Sequence, residues 1–277
     1  MRLVVVGSLH LDVLLQAPHL PALDETVTGS SVDYVFGGRG GNQAVAAARM
    51  GGNVHFAGRA GSDMSGDTIR SVLRASGVDM SQLQTDPGPS GMSAAIIDAN
   101  GDYGAVIVSA ANLHIDANPI TIPPRTGLIL LQNEVPEAVN IAIARKARAA
   151  NATVWLNAAP FRPLPGELLE LVDLFIVNRV EAESYGQALA GQNVLKTLGP
   201  DGVLYQGKVT AAPRVNVVSS HGAGDMFVGA LAARLTKGAP MEDALAFAQA
   251  AAALHVSSDL AARAALVPSM VKRALGA

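Results

Sequence analysis

The sequence predicts an α/β fold: a mostly parallel sheet flanked by helices, with a small β element inserted near its mouth. Three observations predict it. The chain opens on RLVVVGS, a continuous β-branched run closed by glycine, the pattern of a strand buried on both faces. From Gly127 onward, short apolar runs alternate with helical runs, and that order implies parallel strands joined by right-handed crossovers. Between these regions, Asn100-Gly101 separates two β-like runs, the strongest short hairpin signal in the chain.

Taken in order, LHLDVLLQ alternates as a strand, so His10 and Asp12 share one face while Leu9, Leu11 and Val13 share the other. Pro18 and Pro21 end it. NQAVAAARMGG reads as an alanine-rich helix starting at Asn42 and stopped by Gly51 and Gly52. NVHFAGRAG is a strand. SGDTIRSVLRASGV is an amphipathic helix with Ile69, Val72 and Leu73 inward and Gly77 as its stop. SGMSAAIIDANGDYGAVIVSAAN is the hairpin. Then follow strand GLILLQN, helix PEAVNIAIARKARAAN, strand TVWLNAAP, short helix PGELLELV, strand LFIVN, helix RVEAESYGQAL and strand NVLKTLG. The end of the chain is helical, in GAGDMFVGALAARLTKG, MEDALAFAQAAAALHVS and PSMVKRALG. No repeat, low-complexity linker or break in composition divides the chain, which reads as one domain over residues 1–277.

Composition narrows the function. A chain of 277 residues with 49% hydrophobic and 16% charged residues buries a large core and is not disordered. A net charge of -3 without a basic block gives no cationic stripe for nucleic acid. The absence of cysteine excludes a disulfide scaffold, a thiolate metal site and a thiol nucleophile. The first residues are strand-like and too short for a signal peptide, and the most apolar run, ALAFAQAAAALHV, is too short to span a bilayer. The expectation is a soluble, cytoplasmic protein with no membrane partner.

Four segments carry polar chemistry. In VFGGRGGNQA, glycines surround Arg39 and lead into a helix; they let backbone approach a ligand, or they form a plain flexible turn. The spacing fits neither a P-loop nor a dinucleotide fingerprint. In VNRVEAE, Asn178 ends a strand and Glu181 falls one helical turn on. The pair offers oxygens to a hard cation at the carboxyl end of the sheet, or it is a helix N-cap with a first-turn acid. TLGPDGV is a strand running into a Gly-rich turn. In SSHGAGDMF, the amides of Gly222, Ala223, Gly224 and Asp225 would converge at a helix start, where the dipole favours anions. Tiny side chains leave that spot open to a phosphoryl group, and the carboxylate can accept a hydroxyl proton. The alternative is a helix-start acid beside glycines that permit tight packing.

Together these segments resemble the ribokinase-like (phosphofructokinase-B) carbohydrate kinase family over nearly the whole chain. GSLHLD is similar to its first-strand sugar motif, DETVTG with GGRGGNQA to its first signature, and GAGD to its second; LNAAP, VNRVEAE and TLGPDGV come in the family's order. The resemblance implies a three-layer sandwich with a mostly parallel central sheet and a β lid from about 12–36 and 91–109, often a dimer clasp. It implies transfer of the γ-phosphoryl of ATP, with Mg²⁺, to a hydroxymethyl group of a sugar. By position, Asp225 is the base and Gly222, Ala223 and Gly224 the anion hole. His10, Asp12, Gly38, Arg39, Asn42 and Glu134 line the sugar site. Asn178, Thr197, Gly199 and Gly202 serve the nucleotide, and Glu181 the hydrated metal.

The chain departs from the family's ribokinases at His10, where they carry Asn, and at Arg39, where they carry Lys. Both positions adjoin the sugar, so the resemblance leaves the sugar's identity open, and a nucleoside or other ribosyl compound is the alternative acceptor. Ser219-Ser220 replaces an Asp-Thr that helps bind an activating monovalent cation, and a late Gly-Ala of the same site is missing from SSDLAARAALVP. The expectation is that monovalent cations matter little. Between Tyr185 and Val194 the family's second helix is missing; with Ser219, that favours a third reading, a catalytically weakened sugar-binding regulator, which the retained Asp225, Asn178 and Glu181 oppose.

Overall fold

The computed structural model describes residues 1–100 and 102–276. The strands are β1 (Arg2–Val6), β2 (His10–Gln16), β3 (Ser31–Gly37), β4 (Val54–Gly61), β5 (Asp79–Asp86), β6 (Gly91–Ile97), β7 (Tyr103–Val108), β8 (Thr126–Gln132), β9 (Thr153–Asn157), β10 (Leu174–Val177), β11 (Val194–Thr197), β12 (Val203–Tyr205) and β13 (Lys208–Thr210). The helices are α1 (Arg39–Arg49), α2 (Met64–Ala75), α3 (Glu137–Ala149), α4 (Gly166–Leu171), α5 (Arg179–Tyr185), α6 (Ala223–Thr236), α7 (Met241–Val256), α8 (Leu260–Ala264) and α9 (Pro268–Ala274).

The large sheet runs β13-β12-β11-β10-β9-β8-β1-β4-β5. Its pairs are parallel from β5 through to β11, and only β12 and β13 are antiparallel. Successive side chains of a strand point to opposite faces, and both faces are buried. Leu3, Val5, Leu128 and Leu130 pack with α1, α6 and α7; Val4, Val6, Ile129 and Leu131 pack with α3 and α4. The expected three layers are present.

The lid is built from the two segments expected near 12–36 and 91–109, not from the hairpin alone. It is a four-stranded sheet in the order β3-β2-β6-β7, because the exposed strand β3 pairs antiparallel with β2. The β6–β7 hairpin forms, although Gly101 of its expected turn lies outside the described residues. Helix α1 begins at Arg39, three residues before the expected Asn42, with Gly38 as its N-cap. The expected helix RVEAESYGQAL ends at Tyr185 and continues as a single 3₁₀ turn, Gly186–Leu189, so no second helix precedes β11. One close approach positions the site. A Cβ on Gly229 of α6 would lie 2.6 Å from the Gln43 carbonyl oxygen and 2.7 Å from the Ala46 Cβ, so the bare glycine lets α6 lie against α1.

Candidate active site

Gly222, at φ 75°, turns an irregular loop into α6, a left-handed conformation that favours glycine. Asp225 then falls in the first turn and is 8% exposed. Its Oδ1 accepts a hydrogen bond from Gln43 Nε2 at 2.9 Å, and its Oδ2 one from Asn42 Nδ2 at 3.3 Å. Burial pushes its pKa up to about 6, against the opposing charge of Arg39 and the Gln43 hydrogen bond. A carboxylate so tuned is ionised at neutral pH yet more basic than an exposed aspartate. The amide nest is smaller than expected: the Ala223 amide donates to the Ser220 carbonyl at 3.2 Å. Among the described residues, the amides of Gly222, Gly224 and Asp225 have no partner and remain free for an anion.

Gln43 is the site residue the sequence reading missed. It is wholly buried, and its Nε2 donates to both Asp225 Oδ1 and Asn157 Oδ1 at 2.9 Å. Its Oε1 accepts from Gln132 Nε2 at 2.8 Å. Gln132 and Asn157 end β8 and β9, at the carboxyl edge where open α/β sheets bind ligands. A signal was present: one amide on the apolar stripe of an alanine-rich helix, with two more amides closing buried strands.

On the lid side, His10 and Asp12 are 4% and 6% exposed. Asp12 Oδ1 accepts from the Ser93 hydroxyl at 2.6 Å and the Ser93 amide at 3.1 Å. His10 Nδ1 lies 3.9 Å from that oxygen, too far for a hydrogen bond. His10 Nε2 is buried and unpaired, beside a cavity of about 270 Å³ lined also by Ser109, Asn133, Glu134 and Arg162. Glu134 holds the Gly-rich turn: it accepts from the Ser8 hydroxyl at 2.5 Å and the Arg39 amide at 2.8 Å, and its Oε1 lies 3.4 Å from Arg39 Nε. A Cβ on Gly38 would sit 2.8 Å from the Ser8 carbonyl oxygen, so this turn lies directly on the β1–β2 link. A second cavity, about 310 Å³, reaches Asn42, Gly222 and Asp225.

Asn178 and Glu181 do come together, as a reciprocal capping box at the start of α5. Asn178 Oδ1 accepts from the Glu181 amide and Glu181 Oε2 from the Asn178 amide, each at 2.8 Å. The helix-cap alternative is therefore realised, leaving Glu181 Oε1 and Asn178 Nδ2 for any ligand. Across from α5, Thr197 Oγ1 donates to the Val177 carbonyl at 3.4 Å. Gly199 (φ 61°) and Gly202 (φ 103°) shape the turn into β12, and Arg179 donates to the Leu198 carbonyl at 2.9 Å. Among the described residues, no cluster of three or more His, Asp or Glu could enclose a metal by itself.

A buried carboxylate at a helix start, free amides around it and a polar cleft under a β lid form the layout of a kinase for small hydroxyl-bearing substrates. Comparison with known proteins fixes the class. Residues 1–265 match the family described as pfkB family carbohydrate kinase, and the chain belongs to that family. It is 34% identical over 273 residues to a ribokinase of Bacillus subtilis (strain 168), covering 93% of each chain. The crystal structure of a Thermotoga maritima ribokinase matches with a TM-score of 0.89 at 25% identity over the whole of both chains. The structure of Arabidopsis thaliana ribokinase complexed with ribose and ATP matches with a TM-score of 0.88 at 30% identity, covering 99% of this chain and 98% of that one. The protein is an ATP-dependent sugar kinase. No described helix is long and apolar enough to cross a membrane.

Proposed function

We propose that the acceptor is a pentose of the ribose type and that Asp225 is its base. The observation that carries this reading is the buried Asp225 carboxylate, tuned to a pKa of about 6 and hydrogen-bonded to Asn42 beside the second cavity. Asp12, Asn42, Glu134 and the turn at Gly38–Arg39 hold the sugar hydroxyls, and His10 Nε2 gains the partner it lacks from one of them. His10 and Glu134 line the cavity of about 270 Å³, and Asn42 and Asp225 that of about 310 Å³, so a sugar held by both sets lies where the two approach each other.

Asp225 accepts the proton of the hydroxymethyl group as its oxygen bonds to the γ-phosphorus, and the bond from that phosphorus to the β–γ bridging oxygen breaks to release ADP. The amides of Gly222, Gly224 and Asp225 meet the negative charge that develops on the phosphoryl oxygens. Thr197, Gly199 and Gly202 border the nucleotide. A hydrated Mg²⁺ needs few protein oxygens, so the spare Glu181 oxygen would accept from its water shell while Asn178 Nδ2 would donate to a phosphate oxygen; the ion, when bound, neutralises phosphate charge. We read the enzyme as cytoplasmic, where its donor ATP is made. It is also read as a homodimer through the lid: Val32, Tyr34 and Val106 are exposed on the lid, and a second copy would cover them.

ATP consumption over a panel of pentoses, hexoses and nucleosides tests the reading. The largest kcat/KM is expected on a pentose. Turnover confined to nucleosides would overturn the assignment of the acceptor.

A further inference from the structure

Arg263, on the short helix α8, is 7% exposed and has no carboxylate within ion-pair distance among the described residues. Backbone carbonyls surround it instead. Its Nε donates to His255 O at 2.8 Å and Ser258 O at 3.0 Å, its Nη2 to Ser219 O at 2.7 Å, and its Nη1 lies 3.5 Å from His221 O. Two of these oxygens belong to the end of α7 and the turn after it. The other two belong to the segment that runs directly into Gly222.

Other bonds close the same clamp. The amides of Val218 and Ser219 both donate to Val256 O, at 2.8 and 3.2 Å. His255 Nε2 lies 2.9 Å from His221 O, and burial lowers the pKa of that ring, which favours the neutral tautomer with its proton on Nε2. A Cβ on Gly222 would come 3.1 Å from the same Nε2, so the helix start rests on the clamp.

A buried cation with no carboxylate in ion-pair contact is expensive; burial lowers the pKa of Arg263, the charge of Asp259 opposes that from beyond contact distance, and the carbonyl dipoles supply the close compensation. Carbonyl oxygens converging from two chain segments are also the ligands that hard cations choose. We propose that Arg263 is a permanently resident cation, a positioning residue that locks residues 218–222 onto the end of α7 and so aims the amides of Gly222, Gly224 and Asp225 at the transferring phosphoryl group. The carbonyl cage emptied by Arg263→Ala then accepts a small free cation. This inference rests on the anion-hole assignment given above.

The test compares the parent enzyme with Arg263→Ala, using ATP and the best sugar of the panel, in tetramethylammonium buffer with and without guanidinium or K⁺. Rates are expressed per folded molecule by circular dichroism. The parent should change less than about twofold with either ion, since its cage is filled. Arg263→Ala should lose about a hundredfold in kcat, the scale of a mispositioned reacting group, with the KM for sugar little changed. Guanidinium or K⁺ should restore much of that loss saturably. A folded Arg263→Ala with parental kcat, or a loss that neither ion relieves, overturns the proposal. Should Arg263→Ala fail to fold, Arg263→Lys and Arg263→Gln decide: the cationic variant must keep at least about tenfold more kcat than the neutral one, a difference of about 1.4 kcal/mol, and equality overturns the idea. A failed Asp225→Asn test would strike the base assignment while leaving cation rescue at Arg263 to be read independently.

Discussion

Replacing Asp225 with Asn separates a catalytic base from a helix-start acid, because the two roles predict opposite balances of activity and stability. Asn preserves shape and helix-start preference but cannot take a proton. As the base, Asp225 contributes roughly 10²–10⁴-fold, so kcat should fall by at least about a hundredfold. Stability should move the other way. The folded pKa is raised from the ordinary 3.8 to about 6, so the folded chain binds this proton more tightly than the unfolded chain does. The penalty for holding the ionised carboxylate in the fold is absent below about pH 4, grows as pH rises between about 4 and 6, and is complete above that. Two pKa units at 1.36 kcal/mol each make it about 3 kcal/mol at pH 8.

The Asp225→Asn variant escapes that penalty but loses one bond. The oxygen of the new side chain can still accept from Gln43, whereas its amide then meets the Asn42 Nδ2 that now donates at 3.3 Å. One lost bond is worth about 1 kcal/mol, and the partly exposed Asn42 can turn its amide over. The net gain is about 2 kcal/mol, a rise in Tm on the order of 3 °C for a chain this long. Thermal melts at pH 8 and pH 4 beside steady-state kinetics make the assay: the variant should melt higher at pH 8, lose that advantage at pH 4, and be nearly inactive. In the parent, kcat/KM should rise with pH through about 6 and then level. A variant that keeps most of its kcat, or that melts lower than the parent at pH 8, refutes the reasoning.

Gln43→Leu should raise the pH at which that acid limb falls, because the hydrogen bond that favours ionised Asp225 is gone. It should also destabilise the fold by about 2–4 kcal/mol, since Asn157 Oδ1 and Gln132 Nε2 lose a buried partner; a pH–rate profile and a urea titration read the two effects. His10→Asn should change the ratio of kcat/KM between ribose and the best sugar by about tenfold or more, because a polar site rejects analogues that leave its groups unpaired. Unchanged ratios across the panel would remove His10 from the sugar pocket. Val106→Glu should convert a lid dimer to monomers by light scattering, since the charge would sit in the apolar face; a parent that is already monomeric would dismiss the clasp.

The lid's geometry explains both its faces. Strand register aligns Val35, Asp12, Ser93 and Ile107 in one row across the sheet and Tyr34, Val13, Ala94 and Val106 in the next. Adjacent rows face opposite ways. The row that carries Asp12 therefore faces the cleft, where Ile107 lines the smaller cavity, and Val106 in the next row faces outward, while the exposed Tyr34 also borders the larger cavity. The alternation of HLDVLLQ was legible in the sequence and put His10 and Asp12 on one face correctly. Strand β3 was not legible: SVDYVFG is largely exposed, and only its pairing with β2 makes it a strand. The polar edge strand β5 and the three-residue strands β12 and β13 escaped for the same reason, since their partners rather than their own patterns define them.

The site was legible where chemistry is local and hidden where it is not. Gly222 and Asp225 lie within one turn, so their arrangement follows from helix geometry. The early start of α1 ran against propensity: Gly40 and Gly41 are poor helix formers, yet a Cβ on Gly40 would lie 2.7 Å from the Gly7 backbone, so contact with β1 selects glycine there. Spacing alone gave Asn178 and Glu181 two readings, and reciprocal capping occupies Asn178 Oδ1 and one of the two Glu181 oxygens, so the other Glu181 oxygen and Asn178 Nδ2 can serve a ligand at the same time. Gln43 depends on partners 89, 114 and 182 residues away. No local pattern could reveal that an amide on α1 would bridge two strand ends and the acid of α6. That bridge nonetheless moderates the basicity that burial gives the site. Burial alone pushes Asp225 toward the neutral form, which could not accept a proton; the Gln43 hydrogen bond and the Arg39 charge pull it back to about 6, low enough to be ionised at neutral pH and high enough to be a useful base.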